Sequence, residues 1–229
     1  METIILSLGG SLIVPDGIDK EFLKDFRKLI LSETRKGKKF VITAGGGKFC
    51  RQYQEAAAEI SRPTEEDKDW IGIASLKLNA ELLRVIFGNS VYEKVVPNLA
   101  EKPATDKPII IGAAYEPGHS TDWDAVLAAR TFGAKRMVNL SNIDYVYDSD
   151  PKKNPKAKKI EEISWTEYRK LIPERWEAGL STPFDPTAAR EAEAAGIEVA
   201  IMNGKPLQNF IQYLAGKKFK GTIITCQVD

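Results

Sequence analysis

Histidine and cysteine are scarce in this chain of 229 residues. There is one histidine, His119, so a metal site built from several histidines is excluded, as is a mechanism that needs two catalytic histidines. The two cysteines, Cys50 and Cys226, do not form a Cys-x-x-Cys pair, which excludes a structural zinc site. The chemistry of this protein must therefore come from other residue types.

Net charge and long apolar runs are also lacking. The 33 basic and 32 acidic side chains leave a formal charge of +1, which gives no overall attraction to nucleic acid or to an anionic membrane. The longest uncharged stretch, Thr3 to Pro15, is shorter than the roughly 20 apolar residues of a membrane span. Because a signal-peptide pattern is also missing and cysteines are few, we expect a cytoplasmic protein.

Apolar runs that alternate with helical patterns predict the fold class. Predicted strands cover Thr3–Leu8, Phe40–Thr43, Val91–Val96, Ile109–Ile111, Arg136–Leu140, Ile197–Met202 and Thr222–Thr225. Between them, the stripe Phe22, Phe26, Leu29 and Ile30 predicts a helix capped by Asp19 and ended by Gly37. A second helix is predicted to follow Gly45-Gly46-Gly47 and to run through Ala58. A third is predicted to end at Gly88 and is marked by the stripe Ile71, Ala74, Leu78 and Leu82. Two more are predicted over Thr121–Phe132 and Pro186–Ala195. This alternation predicts an α/β protein with a mainly parallel central sheet and helices on both faces.

The lysine-rich stretch 144–163 has a different character, and we expect a long solvent-facing loop or hairpin there. Long linkers and internal repeats are absent from the sequence. We therefore expect a single domain, residues 1–229, with two lobes.

Two glycine-rich turns follow predicted strands. Gly9-Gly10-Ser11 follows the first strand, and Gly45-Gly46-Gly47-Lys48 follows the second, with Arg51 three residues further on. Glycine allows the backbone to approach an anion closely, and the amides of a helix N-terminus point at it. The pair of loops predicts a site for two phosphate groups. Neither loop has the spacing of a P-loop or of a dinucleotide-binding fingerprint, and the protein-kinase signatures are absent.

Several segments, in this order along the chain, resemble the amino acid kinase superfamily, and within it the short archaeal type of the uridylate kinase branch. Gly45-Gly46-Gly47-Lys48-Phe49-Cys50-Arg51 resembles its Gly-Gly-Gly-x-x-x-Arg segment, and the stretch 139–151 resembles its Thr-Asn-Val-Asp-Gly-Val-Tyr-x-x-Asp-Pro segment. Gly118-His119-Ser120-Thr121-Asp122 is similar to Gly-His-Thr-Thr-Asp, and Asp69–Ile73 to Asp-x-x-Gly-Ile. The likeness extends over essentially the whole chain, and the segment 139–151 is its most specific part.

The resemblance implies phosphoryl transfer from ATP, with Mg²⁺, to UMP, in pyrimidine nucleotide biosynthesis. It places UMP in an N-terminal lobe of about residues 1–125 and ATP in a C-terminal lobe of about residues 126–229. The implied UMP-binding residues are Gly46, Asp69, Tyr115, Gly118, His119, Ser120 and Thr121. The implied ATP-binding residues are Ser7, Gly9, Gly10, Ser11, Gly47, Arg51, Ser141, Asn142, Tyr147 and Asp150. It also implies a homo-oligomer, with a hexamer as the common form.

Three positions depart from the family pattern. Ser7 stands where many members carry a lysine that reaches the transferring phosphoryl group, so the cation must come from elsewhere. Lys48 and Arg51 are the catalytic residues that we predict, with Lys205 as a further candidate. Tyr145 replaces the usual glycine, and Trp123-Asp124 replaces small apolar residues; we expect Asp122 and Asp124 to be surface acids, and metal ligands stay unassigned.

The scarcity of histidine is compatible with this activity. An acceptor phosphate is already ionised near neutral pH, so alignment and charge neutralisation suffice and no general base is needed. Two alternatives stay open: another small-molecule kinase of the superfamily, and a non-catalytic nucleotide-binding or storage protein, which Ser7 would favour. Aspartate kinases usually carry further domains for which this chain has no room, and the histidine of isopentenyl phosphate kinases is missing near the second strand.

Overall fold

A computed structural model describes residues 2–177, 180 and 182–226. A seven-stranded sheet with the order β3-β2-β1-β4-β8-β9-β7 forms its centre. The strands are β1 (Thr3–Leu8), β2 (Lys39–Ala44), β3 (Ile109–Gly112), β4 (Arg136–Ser141), β5 (Val146–Tyr147), β6 (Lys159–Ile160), β7 (Glu162–Ser164), β8 (Glu198–Asn203) and β9 (Thr222–Thr225). All neighbours in this sheet are parallel except β8 and β9, so the α/β prediction is confirmed.

Helices cover both faces of the sheet. They are α1 (Gly10–Ile13), α2 (Lys20–Arg35), α3 (Gly47–Ile60), α4 (Glu65–Phe87), α5 (Thr121–Phe132), α6 (Trp165–Lys170), α7 (Pro186–Ala195) and α8 (Gln208–Leu214). Asp19 caps α2 by accepting from the Phe22 amide, as the sequence predicts. Asp185 caps α7, and Pro186 occupies its first turn. The short helices α6 and α8 were not predicted.

One of the strands expected from the sequence is absent from the described part of the chain. The segment Val91–Val96 is not a strand, because only its two end residues form isolated bridges, with Ile109 and Gly112. The helix predicted along a stripe of apolar residues to Gly88 is confirmed as α4, although its buried face carries Ile73, Leu76, Ala80, Leu83 and Phe87 rather than that stripe. Leu78, a member of that stripe, is 70% exposed. Because α4 has apolar residues on more than one face, its periodicity did not identify the face that packs on the sheet.

The side chains of β1 alternate between two layers of the core. Leu6 packs in the layer that includes residues of α2 and α4, whereas Ile5 packs in the layer that includes residues of α5 and α7. Since successive residues of a strand point to opposite faces, Ser7 shares the face of Ile5. This places its hydroxyl toward the start of α5.

The lysine-rich stretch forms the predicted hairpin, in which β5 and β6 pair in antiparallel fashion. Its turn lies near the carboxyl end of β4, on the same side as the two glycine loops, because residues of both line one cavity. Among the described helices, none combines the length and the apolar character that a membrane crossing needs.

Candidate active site

The two glycine loops pack against each other where β1 and β2 end. A Cβ atom on Gly10 would lie 2.0 Å from the amide nitrogen of Gly47, and one on Gly45 would lie 2.5 Å from the amide nitrogen of Gly10. Gly47 also has a φ of +74°, which side chains disfavour. Only glycine allows this contact, which brings the backbone of both loops and the N-terminus of α3 to one place.

Most of the predicted site residues line one cavity of about 1010 Å³ at this place. The predicted residues on its wall are Ser7, Gly9, Gly10, Ser11, Gly46, Gly47, Arg51, Asp69, His119, Ser120, Thr121, Ser141, Asn142, Tyr147 and Asp150. Some of these residues are more than 100 positions apart in the sequence, so it is the fold that brings them together. The structure therefore brings the predicted acceptor and donor residues together.

Three predicted residues do not line the cavity. The ammonium of Lys48 pairs with the carboxylate of Asp16 on the protein surface. Tyr115 forms a side-chain hydrogen bond with Glu116, which raises the pKa of its phenol. Gly118 lies beside the cavity and contributes its backbone amide, as described below for Asp69.

Among the described residues on the cavity wall, the cations are Arg51, Lys152 and Lys153. Lys205, the further candidate, pairs with Asp19 at 2.5 Å and does not line the cavity. Arg51 takes part in none of the ion pairs formed among the described residues. Lys152 and Lys153 were missed because the composition of their hairpin suggested only a solvated surface.

Ser7 forms a polar cluster with α5 and β4. Its hydroxyl donates to Oδ1 of Asp122 at 2.7 Å, and the side-chain amide of Asn139 donates to the same oxygen at 2.8 Å. Burial raises the pKa of Asp122 to about 7, with a further contribution from the charge of Asp185. Asp122 is thus a cavity-wall carboxylate that titrates near neutral pH.

The expectation that Asp122 and Asp124 are surface acids is wrong. Asp124 is fully buried, and neither of its carboxylate oxygens has a hydrogen-bond partner among the described residues. Burial, followed by the charge of Asp185, raises its pKa to about 8. Asp185 is satisfied by contrast, because it accepts from the Ser120 hydroxyl at 2.5 Å and from the Ala188 amide at 2.8 Å.

Asp69 lines the cavity from the first half of α4. Its Oδ2 atom accepts from the Gly118 amide at 2.8 Å and from the indole Nε1 of Trp176 at 3.3 Å. Trp176 also lines the cavity, although it lies on the segment that joins α6 to α7. The local sequence around Trp176 carries no recognisable signal for this contact, so sequence reasoning missed it.

His119 is buried rather than exposed, with 6% of its side chain accessible. Its ring stacks on Trp123 at a centroid distance of 4.0 Å, and Nδ1 lies 3.3 Å from the Ser120 carbonyl oxygen. Burial lowers the pKa of the imidazole. Burial thus favours the neutral imidazole, and the tautomer with the proton on Nδ1 is the one that can donate to the Ser120 carbonyl.

The predicted donor residues lie at the end of β4 and along the hairpin. Ser141 is the last residue of β4, Tyr147 belongs to β5, and Asp150 follows in the turn, where it accepts from the Lys152 amide at 2.9 Å. Tyr145 also lines the cavity, and the ammonium of Lys159 lies 4.8 Å from its ring centroid. The side chain at this position thus helps to form the wall of the donor end.

Comparison with known proteins identifies the family of this chain. The model of the amino acid kinase family matches residues 2–203. The chain therefore belongs to the amino acid kinase family.

Within this family, the chain is similar to several proteins named uridylate kinase. A uridylate kinase of Pyrococcus abyssi is 35% identical over 224 residues, which cover 96% of this chain and 98% of the relative. A uridylate kinase of Methanospirillum hungatei is 33% identical over 98% of this chain and 95% of its own length. The crystal structure of the uridylate kinase from Archaeoglobus fulgidus, 31% identical, superposes with a TM-score of 0.80 and covers 98% of this chain and 100% of that one.

Proposed function

We propose that this protein is a UMP kinase, which transfers the γ-phosphate of ATP to UMP and releases UDP and ADP. One observation carries the proposal: a single cavity joins the acceptor residues around Asp69 to the donor residues around Tyr147, with the glycine loops and Arg51 on its wall. The full-length similarity to proteins named uridylate kinase supports the same activity. The similarity extends over 98% and 95% of the length of these two relatives.

UMP occupies the acceptor end of the cavity in this proposal. Gly46 and the neighbouring amides at the start of α3 receive its phosphate, and Asp69 accepts hydrogen bonds from the ribose hydroxyls. The loop 115–121 covers the nucleoside. Because α3, α4 and this loop belong to residues 1–125, we assign the acceptor to an N-terminal lobe.

ATP occupies the donor end. The backbone of Gly9, Gly10 and Ser11 faces its phosphates, together with Gly47. Ser141, Asn142, Tyr147 and Asp150 contact the nucleoside, with the Tyr147 ring suited to pack on adenine. Since β4 and the hairpin belong to residues 126–229, we assign the donor nucleotide to a C-terminal lobe.

The reaction needs alignment more than proton transfer. A phosphate oxygen of UMP attacks the γ-phosphorus of ATP, the bond from that phosphorus to the bridging oxygen breaks, and ADP leaves with the electron pair. The attacking oxygen is already ionised, so a neutral buried His119 is no obstacle. Arg51 neutralises charge that builds up between the two nucleotides, and Lys152 is placed to do so from the donor side.

Mg²⁺ enters the proposal with ATP rather than as a resident ion. The described residues contain no group of three or more His, Cys, Asp or Glu side chains that could hold a metal. A cage made by the protein alone therefore does not fit these residues. Mg²⁺ usually keeps several waters and binds through substrate phosphates with one or two carboxylates, so we assign no ligand to it.

The two alternatives are less well supported. Another small-molecule kinase would have to bind its acceptor where Asp69 and loop 115–121 stand, and the relatives at 33–35% identity are named uridylate kinases. A storage protein would need only one nucleotide site, whereas this cavity is lined by the residues predicted for both the acceptor and the donor. Both alternatives remain outcomes of the assay below.

We also propose that the enzyme forms a homo-oligomer in the cytoplasm and acts in pyrimidine nucleotide biosynthesis, with a hexamer as the expected form. Exposed apolar side chains on the neighbouring helices α3 and α4 support self-association. Tyr53 is 69% exposed, Leu78 70% and Val85 62%. Leu78 and Val85 are seven residues apart and therefore share one face of α4, and an exposed apolar face is typical of a contact between proteins.

A coupled ADP-release assay tests the activity. Purified protein is incubated with Mg²⁺ and ATP and with UMP, CMP, AMP or acetylglutamate as acceptor. We expect turnover with UMP at a kcat/KM well above that for the other acceptors. Turnover with a different acceptor would support another kinase of the family, and tight nucleotide binding by calorimetry without any turnover would support a storage role.

A further inference from the structure

Trp176 connects two distant parts of the chain across the acceptor end of the cavity. It lies between α6 and α7, whereas Asp69 lies in the first half of α4, 107 positions away. The indole Nε1 donates to Oδ2 of Asp69 at 3.3 Å, and both side chains line the cavity. The indole is half-buried, so one part of it packs against protein while the other faces the cavity or solvent.

The segment that carries Trp176 is tied to the fold on both sides. Before it, the Tyr168 hydroxyl accepts from the Phe184 amide at 2.7 Å and donates to the Phe184 carbonyl at 2.8 Å, which brings the two ends of the segment together. Within it, the Arg190 guanidinium donates to the Glu174 carbonyl at 2.8 Å. These contacts fix the backbone of Glu174, two residues before Trp176, against α7 and the residue Phe184 against α6.

The hydrogen bonds of Asp69 leave its two oxygens unequal. Oδ2 accepts from both the Gly118 amide and the indole, whereas Oδ1 has no protein donor in the described part of the chain. A carboxylate with one oxygen held by two N–H groups has a fixed plane, so its other oxygen points in a defined direction. That oxygen is suited to accept a hydrogen bond from a ligand hydroxyl.

We infer that Trp176 is a positioning and specificity-determining residue of the acceptor site: by holding Oδ2 of Asp69, it aims Oδ1 at the ribose hydroxyls of a ribonucleoside monophosphate. This inference rests on the proposed function. An acceptor without the 2′-hydroxyl loses a donor that Asp69 is oriented to receive, so Trp176 contributes to the preference for UMP over deoxy-UMP. The indole face adds apolar surface on the same wall, which a phenyl ring would largely keep.

The test replaces Trp176 by phenylalanine, which removes the N–H donor and keeps an aromatic ring. We expect the KM for UMP to rise about tenfold, the size expected for a lost hydrogen bond to a charged group, while kcat changes less than about twofold. The preference for UMP over deoxy-UMP should fall by a similar factor. Trp70→Phe is the matched control, because Trp70 adjoins Asp69 on α4 but does not line the cavity, and it should leave both quantities unchanged.

A double-mutant cycle establishes whether Trp176 acts through Asp69. In an Asp69→Ala background, Trp176→Phe should change the KM for UMP by less than about twofold, because no side-chain oxygen is left for the indole to orient. Equal effects of Trp176→Phe in both backgrounds would overturn the inference. A lower KM in the single variant would also overturn it, since the indole would then be competing with UMP for Asp69.

Two further controls keep the result interpretable. Trp176→His retains a ring N–H donor and should recover part of the lost affinity; if it behaves as the phenylalanine variant does while both fold, the hydrogen bond is not what matters. Failure of the proposed function has a different signature. In that case the wild-type protein would not phosphorylate UMP, whereas failure of this inference leaves wild-type turnover intact and the variants equal to it.

Discussion

The hydroxyl of Ser7 donates to Oδ1 of Asp122 at 2.7 Å, which joins the first strand to the first turn of α5. Many members of the family carry a lysine at the position of Ser7, where an ammonium would be expected to pair with such a carboxylate. Here the partner is neutral, and Asp122 is half-buried with a pKa raised to about 7. The replacement thus removes a cation and leaves a carboxylate that titrates near neutral pH.

Ser7→Ala should raise the pKa of Asp122 further. A hydroxyl that donates to a carboxylate stabilises its charged form, so loss of this donor favours the protonated form. NMR titration of labelled aspartate carboxyl carbons measures the shift directly. Ser11→Ala is the control, because Ser11 lines the same cavity without contacting Asp122. An unchanged pKa in the Ser7 variant would show that the hydrogen bond does not influence the carboxylate.

Asp124→Val should stabilise the protein. A buried carboxyl group without partners costs about 1–3 kcal/mol, and valine removes that cost, so the free energy of unfolding should rise by about this amount. Asp25→Val, which changes an exposed carboxylate on α2, should shift it by less than about 0.5 kcal/mol. Chemical denaturation measures both. Destabilisation by the valine variant would indicate that Asp124 has a partner such as a bound cation.

The pH dependence of stability should change in the same variant. The pKa of Asp124 is about 8 in the folded protein, against an ordinary value of 3.8 in the unfolded chain. Between these two values unfolding releases a proton, so Asp124 makes the protein less stable as pH rises from about 4 to about 8. Asp124→Val should flatten the fall in unfolding free energy over this window. Parallel curves for the two proteins would contradict the raised pKa.

Arg51 should matter more to catalysis than Lys48. Arg51→Ala removes a cation from the cavity wall, and we expect kcat/KM for UMP to fall about 100-fold or more. Lys48 is paired with Asp16 outside the cavity, so Lys48→Ala should have a smaller effect than the Arg51 variant. Lys28→Ala on α2 is the control for charge removal at the surface. Equal losses for Arg51 and Lys28 would argue against the assigned site.

Self-association should depend on the exposed apolar face of α4. Leu78→Asp places a charge where a contact with a second copy would exclude water, so sedimentation velocity should report a smaller assembly than for the wild type. Lys20→Asp, an exposed change on α2, should leave the sedimentation coefficient unchanged. A wild-type protein that sediments as a monomer would contradict the proposal without any variant.

Local signals in the sequence were sufficient for much of the fold. The strand Thr3–Leu8 and the helices Thr121–Phe132 and Pro186–Ala195 have the predicted bounds, because their limits depend on nearby glycine, proline and capping residues. The order of the motifs along the chain was sufficient to predict the family, which the family model confirms. The prediction of a strand at Val91–Val96 was wrong, because only the two end residues of this segment form bridges to β3.

Features that depend on tertiary contacts could not be predicted. The burial of Asp124 follows from which face of α5 packs on β1 and β2, and the exposure of Leu78 follows from which face of α4 does not. The contact between Trp176 and Asp69 joins segments 107 positions apart, with no pattern to link them. The sequence predicted the same catalytic role for Lys48 and Arg51, but only Arg51 lines the cavity. Lys48 instead pairs with Asp16, a contact that the sequence does not reveal.

Transfer of a labelled γ-phosphate from ATP to UMP is the most direct test of the central claim. The protein is mixed with Mg²⁺, γ-labelled ATP and UMP, and the nucleotides are separated by anion exchange. We expect the label in the β-phosphate of UDP, with ADP formed in equal amount, and far less transfer by the Arg51→Ala variant. Label that appears only as free phosphate, or stays in ATP while UMP is bound, would contradict the assignment of this cavity to phosphoryl transfer between two nucleotides.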